Sequence, residues 1–305
     1  MTGPPRNLRA RLHAPDPLIA VELRPPRRDL AALSALEAWI DVYQSVRRLA
    51  GLDTVVFLTD SAVGTDEEEN LAHLERNLGR EAQRDRVVPF LTLKHSLEYC
   101  RRFAARAHHA RFPGLVVLGG DKHDGVPRCL PHAWQLRERL RREFPGLLLG
   151  GWANPYRDAA EQVGYLADHA ESLDFVLTQI VSHHDIGPLR AFLDEAARRG
   201  LDVPVLVGVF FYRSARAATL DRLARFIPVP KDALAKEFAA GARAEEIAAR
   251  TLRAALEAGA TRFYVSNLPV ARAPGCLSRI AAAAGLPAPA PLAPPGRASY
   301  ERRRR

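Results

Sequence analysis

The stretch FVLTQIVSHHDIGPLRAFLDEAARRGLDVPVLVGVFF, residues 175–211, contains the unit that decides the fold. Residues 175–180 and 203–210 are short runs of Val, Leu, Ile and Phe, typical of strands that are buried on both faces. Between them, residues 188–199 have the apolar spacing of an amphipathic helix and begin with a proline, which suits a first helical turn. The order strand, helix, strand predicts a parallel βαβ unit.

The same unit repeats along nearly the whole chain. Six further β-rich runs predict strands at residues 18–23, 53–58, 87–93, 115–119, 147–152 and 262–265. Helical patterns separate them at residues 30–49, 96–111, 131–144, 157–170 and 244–258, and an extra helix is expected within 226–241. Asp29, Asp66 and Ser96 each precede a periodic run and are predicted helix N-caps. Eight βα units at this length favour an α/β fold of the closed (β/α)8 TIM-barrel type over an open doubly wound sheet. The absence of glycine directly after the first strand also argues against a Rossmann fold.

The domain organisation follows from the extent of this repeat. We expect one (β/α)8 barrel domain over residues 1–286. Residues 287–305 are rich in Ala, Pro and Arg, and we expect this tail to be disordered or loosely attached.

Composition indicates an ordinary globular protein, with 47% hydrophobic and 26% charged residues in a chain of 305. The first residues contain no apolar segment of the secretory type and no run is long enough to span a bilayer, so we expect a cytoplasmic protein without a membrane partner. Three widely separated cysteines fit a reducing compartment and show no zinc-type spacing. The net charge is +9, but residues 302–305 supply four of these charges, so nucleic-acid binding through this tail is the weakest alternative.

Candidate catalytic residues lie where strands end, since active sites of this fold collect at the carboxyl ends of the strands. Glu22 lies in a buried strand just before two prolines, where desolvation raises the pKa of a carboxyl group and suits it to act as a general acid. An ion pair with Arg24 is the competing interpretation of Glu22. Asp121 follows Gly119 and Gly120, whose lack of side chains allows a ligand to approach the backbone closely.

Candidate binding residues lie at four further strand ends. Gln179 is an amide in an otherwise apolar strand, so it needs hydrogen-bond partners that a heterocycle can supply. We expect the aromatic side chains of Trp152, Phe210 and Tyr212 to pack against a planar ligand, although such residues also pack in protein cores. Thr59, Asp60 and Ser61 follow the second strand. These small polar residues fit a ligand contact and an ordinary turn equally well.

Taken in order, several motifs resemble the methylenetetrahydrofolate reductase family. They are V-E-L-R-P-P at residues 21–26, P-F-L-T at 89–92, G-G-D at 119–121, T-Q at 178–179, I-P-V-P at 227–230 and F-Y-V-S-N at 263–267. Each motif alone is weak, but their joint order is moderately specific and covers residues 18 to 286, which is nearly the whole chain.

The resemblance implies a reaction and a set of ligands. It implies reduction of 5,10-methylenetetrahydrofolate to 5-methyltetrahydrofolate, a step of one-carbon metabolism and methionine biosynthesis, with NADH or NADPH as reductant and FAD as cofactor. By position, Glu22 would be the acid that opens the imidazolidine ring, and Asp121 would lie beside the flavin and the pterin. Gln179 would bind the pterin, and Phe210 would pack against the stacked rings.

The sequence departs from the family where flavin is bound. The Arg that precedes Gly-Asp in the family is Gly119 here, its third-strand histidine is Phe90, and its tyrosine after the fifth strand is Asn154. The family's phosphate-binding cations are also missing from the following helix, which removes charge-assisted bonds to a pyrophosphate. We therefore expect FAD to be bound weakly, differently or not at all, with any flavin contacts made by Thr59, Asp60, Gly119, Gly120, Asp121, Trp152 and Asn154.

Two alternatives remain open. One is a flavin-independent or non-catalytic folate-binding relative. The other is a metal-dependent barrel lyase or hydrolase, with a divalent ion held among Asp121, His123, His183, His184 and Asp185. We favour the reductase, for which no bound metal is expected. The sequence leaves open whether the chain forms a homo-oligomer.

Overall fold

The computed structural model describes residues 7–26, 29–59, 84–120 and 125–292. In this part of the chain, eight parallel strands form a closed barrel in sequence order, and the last strand pairs with the first. The predicted (β/α)8 TIM barrel is therefore confirmed. The strands are β1 Leu18–Leu23, β2 Val56–Leu58, β3 Val87–Thr92, β4 Gly114–Leu118, β5 Leu148–Ala153, β6 Phe175–Val181, β7 Val205–Phe210 and β8 Arg262–Ser266.

Helices cover the outside of the barrel. In the described ranges they are α1 Leu8–His13, α2 Ala32–Ala50, α3 Leu97–His109, α4 Ala133–Glu143, α5 Ala159–Ala167, α6 Gly187–Arg198, α7 Ala217–Leu223, α8 Lys231–Ala239, α9 Ala244–Glu257 and α10 Ala273–Ala284, with 3-10 turns at Arg84–Arg86, Ala170–Ser172 and Val270–Arg272. The extra helix expected within 226–241 is α8. None of the helices in these ranges combines the length and the apolarity that crossing a bilayer requires.

The second strand is shorter than predicted, because Asp53 serves another purpose. Its amide donates to the carbonyl of Ala290 rather than to a neighbouring strand, at 2.8 Å. Its carboxylate accepts from the buried Arg86 at 3.3 Å and contacts Arg11 at 3.2 Å. The chain thus becomes a strand only from Val56.

The helix α1 was not predicted from the sequence, and it closes the amino-terminal end of the barrel. Asn7 caps it by accepting a hydrogen bond from the amide of Ala10 at 2.8 Å. Leu8 and Leu12 are buried in the same cluster as the interior side chains of the strands. Burial of both leucines compensates for the small apolar content of this six-residue helix.

The barrel interior is filled by aromatic rings that need glycine on neighbouring strands. A Cβ at Gly150 would lie 2.4 Å from the ring of Phe175, and a Cβ at Gly208 would lie 2.6 Å from the hydroxyl of Tyr264. Both distances are far below van der Waals contact, so any side chain here would displace a ring. Glycine on β5 and β7 therefore makes space for the large rings of β6 and β8.

Helix starts agree with the sequence only in part. Ser96 caps α3 as predicted, accepting from the amide of Tyr99 at 3.1 Å. The predicted cap at Asp29 is wrong, because α2 begins three residues later and has Ala31 as its N-cap. Asp66, which we predicted as a third cap, lies outside the described residues.

The chain continues in contact with the barrel past the predicted domain boundary at residue 286. Pro291 forms an isolated antiparallel bridge with Leu52, and the amide of Leu292 donates to the carbonyl of Gly51 at 2.9 Å. Residues 287–292 thus lie beside the end of α2. Residues 293–305 are outside the described ranges, and the extent of the domain stays a prediction.

Candidate functional site

The carboxyl ends of the strands meet at one rim of the barrel, where Glu22 of β1, Trp152 of β5, Gln179 of β6, Phe210 of β7 and Ser266 of β8 lie. The register pairs Phe210 with Ser266 directly. Because all eight strands run parallel, their last inward-facing residues surround a common opening. The structure therefore places four of the predicted site residues, Glu22, Trp152, Gln179 and Phe210, at one rim.

The carboxylate of Glu22 is half-buried and hydrogen-bonded. The hydroxyl of Ser266 donates to Glu22 Oε1 at 2.7 Å. Ser266 is itself buried at the end of β8, one strand away around the closed barrel. A donor fixed in this way orients the carboxylate at the rim. The sequence analysis missed Ser266, although it lies within the 263–267 motif.

Behind Glu22, the phenol of Tyr264 closes the interior. Its hydroxyl donates to the carbonyl of Thr178 at 2.5 Å. Burial, reinforced by the negative charge of Glu22, raises the pKa of Tyr264 well above its usual value, and Trp152 opposes this rise in part. The electrostatic influence of Glu22 and Trp152 on one hydroxyl shows that both lie close to Tyr264, at the floor of the opening.

Gln179 lies in an irregularity of β6 that turns its amide toward the rim. The register with β7 shifts between Leu177 and Ile180. The amide oxygen of Gln179 accepts from the amide of Ile180 at 2.9 Å, and its nitrogen donates to the carbonyl of Phe226 at 3.4 Å. An amide group has two donor hydrogens and two acceptor lone pairs, so one of each is left for a ligand.

The aromatic residues divide between the opening and the core. Trp152 is 41% exposed although it belongs to a barrel strand. Phe210 is half-buried, and its ring centroid is 4.9 Å from that of Tyr212. Tyr212 is only 5% exposed and packs in a cluster with Leu220 and Leu234, beneath α7 and α8. Trp152 and Phe210 thus border the rim, whereas Tyr212 lies behind it.

Two cationic side chains that were not predicted from the sequence, Arg128 and Lys94, lie against the end of β4. Arg128 Nη2 donates to the carbonyl of Gly120 at 2.6 Å, and its guanidinium would be 3.1 Å from a Cβ at Gly119. Gly120 has a φ of 75°, and a Cβ there would lie 2.7 Å from the side chain of Lys94. The left-handed φ favours glycine at position 120, and the two cations pack closely against the backbone of both glycines at this strand end.

The other predicted cofactor contacts have local partners. The Asn154 side chain accepts from the amide of Tyr156 at 3.1 Å, which is a turn of the loop after β5. Thr59 is buried, and its amide donates to the carbonyl of Leu23 at 3.0 Å. Asp60 and Asp121 lie outside the described residues, so their assignments stay predictions.

The histidines of the metal alternative follow β6, but they meet a carboxylate that the sequence analysis did not consider. His183 and His184 each lie 3.1 Å from an oxygen of Glu237 on α8. Burial, together with the neighbouring His184, lowers the pKa of His183, while the hydrogen bond and the charge of Glu237 oppose this shift. Asp185 instead forms a backbone turn with Ser182. His123 and Asp121 are outside the described ranges.

Fold and rim together define a (β/α)8-barrel protein with a polar, aromatic-bordered opening at the usual end of the barrel. A Clostridium thermocellum protein that binds two copies of 5-methyl-5,6,7,8-tetrahydrofolic acid has the same fold, with a TM-score of 0.66 and 16% identity over 90% of this chain and 97% of that one. An aldolase, QR15, matches with a TM-score of 0.42 and 12% identity over 81% and 88% of the two chains. No family model matches, and no curated protein does.

Proposed function

We propose that this barrel binds a reduced folate at its rim and reduces 5,10-methylenetetrahydrofolate to 5-methyltetrahydrofolate, with NADH or NADPH as the hydride source. The observation that carries the proposal is the Glu22 carboxylate, held by Ser266 at the rim that also carries the free hydrogen-bonding capacity of Gln179. The folate-binding barrel from Clostridium thermocellum supports the choice of ligand.

Each rim residue has a task in this reaction. The protonated Glu22 donates to N10 of the folate, the bond from N10 to the methylene carbon breaks, and a cationic iminium forms at N5. A hydride from the nicotinamide then reduces this carbon to a methyl group, which leaves oxidised NAD(P)+. Gln179 pairs with the pterin amide edge, while Trp152 and Phe210 pack against ring faces.

The residues present fit an FAD cofactor poorly. Arg128 and Lys94 already pack where Gly119 and Gly120 would admit a flavin. Asn154 is engaged in a local turn, and α5 has no basic residue in its last turn for a pyrophosphate. We therefore derive no step through a flavin, and hydride transfer direct from the nicotinamide is the simpler account of these contacts.

A second candidate is a folate-binding protein without redox activity. The close packing of Arg128 and Lys94 against Gly119 and Gly120 favours this candidate, because a protein that only binds folate does not need contacts to a flavin. Oxidation of NADH or NADPH driven by 5,10-methylenetetrahydrofolate separates the two, because a pure binder gives a folate affinity with no turnover. The same assay with and without added FAD tests whether turnover depends on a flavin.

A further inference from the structure

Two elements bring together a cluster of metal-ligating side chains that includes none of the rim residues discussed above. His183 and His184 follow β6, and Glu237 lies in the last turn of α8. Each offers one ligand atom, and these atoms all lie within 4.8 Å of one another. We propose that His183, His184 and Glu237 bind a divalent transition-metal cation of the Zn²⁺ class.

The spacing of the ligand atoms is close to what such an ion needs. The distances are 3.1 Å from His183 Nε2 to Glu237 Oε1 and 3.1 Å from His184 Nε2 to Glu237 Oε2. Ligands about 2.1 Å from a tetrahedral zinc lie about 3.4 Å apart. Two of the three pairs are thus within a few tenths of an ångström of this spacing, and the ligand atoms of all three groups lie within 4.8 Å of one another. A bound ion would replace two hydrogen bonds with coordinate bonds.

The surroundings of His183 prepare its Nε2 for coordination. Its Nδ1 lies 2.9 Å from the hydroxyl oxygen of Thr251 on α9. That hydroxyl donates its own hydrogen to the carbonyl of Ile247 at 3.4 Å, so its oxygen can accept a hydrogen bond from Nδ1–H of His183. A metal-bound histidine commonly donates its other ring nitrogen in this way, which fixes both tautomer and ring orientation.

Glu237 has the charge and the access that a cation needs. Its side chain is 13% exposed, and it also contacts Arg250. A carboxylate has about four lone-pair sites, so the guanidinium and a metal can share it. Glu237 and Arg250 also line a surface cleft with a volume of about 390 Å³.

Three protein ligands of the His, His, Glu type leave a fourth position for water or an external ligand. The bound ion would join the loop after β6 to α8, while Thr251 links it to α9. None of Glu22, Gln179 and Ser266 takes part. The metal site and the proposed folate reaction are therefore separate claims, and either can fail alone.

The test is a titration of untagged, chelator-treated full-length protein with Zn²⁺ by calorimetry, and with Co²⁺ by absorption. We expect one ion per chain, visible bands typical of tetrahedral Co²⁺, and a rise in Tm with zinc. Glu237→Gln and His184→Ala should each weaken zinc binding 10-fold to 100-fold. His169→Ala, a histidine stacked on Trp134 elsewhere on the surface, should bind like wild type.

The zinc affinities of wild type and the two variants decide whether these residues bind the ion. Equal zinc affinity in wild type, Glu237→Gln and His184→Ala would overturn the proposal, as would a wild type that binds no zinc. If Glu237→Gln does not fold, His184→Ala alone decides, because it removes a surface ring and leaves the contact of Arg250 with Glu237 in place. No folate is present in these experiments, so the result is independent of the proposed enzyme activity.

Discussion

The hydroxyl of Ser266, at the end of the last strand, donates a hydrogen bond of 2.7 Å to Glu22 on the first strand. The bond crosses the seam where the barrel closes, between residues 244 positions apart in the chain. It gives the proposed acid a fixed direction toward the opening. Closure of the barrel thus determines the geometry on which the proposed chemistry depends.

Removal of this donor should impair catalysis more than folding. In Ser266→Ala we expect kcat for the folate reaction to fall about 10-fold to 100-fold, because the hydroxyl stabilises the carboxylate that develops as Glu22 gives up its proton, and a hydrogen bond to a charged group is worth about 1.5–3 kcal/mol. Steady-state kinetics with wild type and variant measure this. Ser278→Ala, on α10, is the matched control and should leave kcat unchanged. A Ser266→Ala enzyme as fast as wild type would show that the hydroxyl does not position Glu22.

The bond from Tyr264 to the carbonyl of Thr178 should contribute to stability. Tyr264→Phe leaves this buried acceptor unpaired, so the free energy of unfolding should fall by about 1–3 kcal/mol at pH 7. Burial raises the pKa of Tyr264, so its contribution is complete below the unfolded-state pKa of about 10 and is lost as the pH rises further. Urea unfolding at pH 7 and above pH 10 should show the difference between wild type and variant shrinking. A constant difference would contradict this account.

Gly208 should be necessary for stability, because the absence of a side chain there leaves space for the ring of Tyr264. A methyl group at this position would lie 2.6 Å from the Tyr264 hydroxyl, so Gly208→Ala should lower the free energy of unfolding by about 1–3 kcal/mol. Gly187→Ala is the control, since a Cβ there meets no atom within 4 Å. Urea denaturation of both variants measures the effect. Equal stabilities would mean that the interior adapts more freely than its packing indicates.

Binding of a reduced folate should be visible through Trp152 and dependent on Gln179. Trp152 is the rim tryptophan, whereas Trp39 is a buried residue of α2 and Trp134 stacks on His169. We expect 5-methyltetrahydrofolate to quench fluorescence in wild type and in Trp134→Phe, but much less in Trp152→Phe. Gln179→Ala should raise Kd about tenfold through the loss of one or two hydrogen bonds. Unaltered quenching in Trp152→Phe would place the folate elsewhere.

The sequence predicted most of the fold because its signals are local. Continuous apolar runs identify strands that are buried on both faces, and eight of them separated by helical patterns leave few topologies. Helix α1 was missed because six residues with alternating arginines have little apolar periodicity of their own. Its stability comes from the leucines that it buries in the barrel, and this is a tertiary effect.

The sequence predicted which residues at the strand ends belong to the candidate site, but not the residues that contact them. Glu22 and Gln179 stand out as polar residues in apolar runs. Ser266 and Glu237 do not, because a serine after a strand and a glutamate on an exposed-looking helix are common in any sequence. Their importance arises from contacts across 244 positions and 53 positions of the chain, which only the fold reveals.

The most direct test of the central claim is the anaerobic oxidation of NADH and of NADPH driven by 5,10-methylenetetrahydrofolate, with and without added FAD, in wild type and Glu22→Gln. We expect wild type to turn over without FAD and to form 5-methyltetrahydrofolate. Glu22→Gln should bind 5-methyltetrahydrofolate but lose at least about 100-fold in kcat, since general acid catalysis contributes on that order. Wild-type protein with no turnover under any of these conditions, or Glu22→Gln with undiminished kcat, would contradict it.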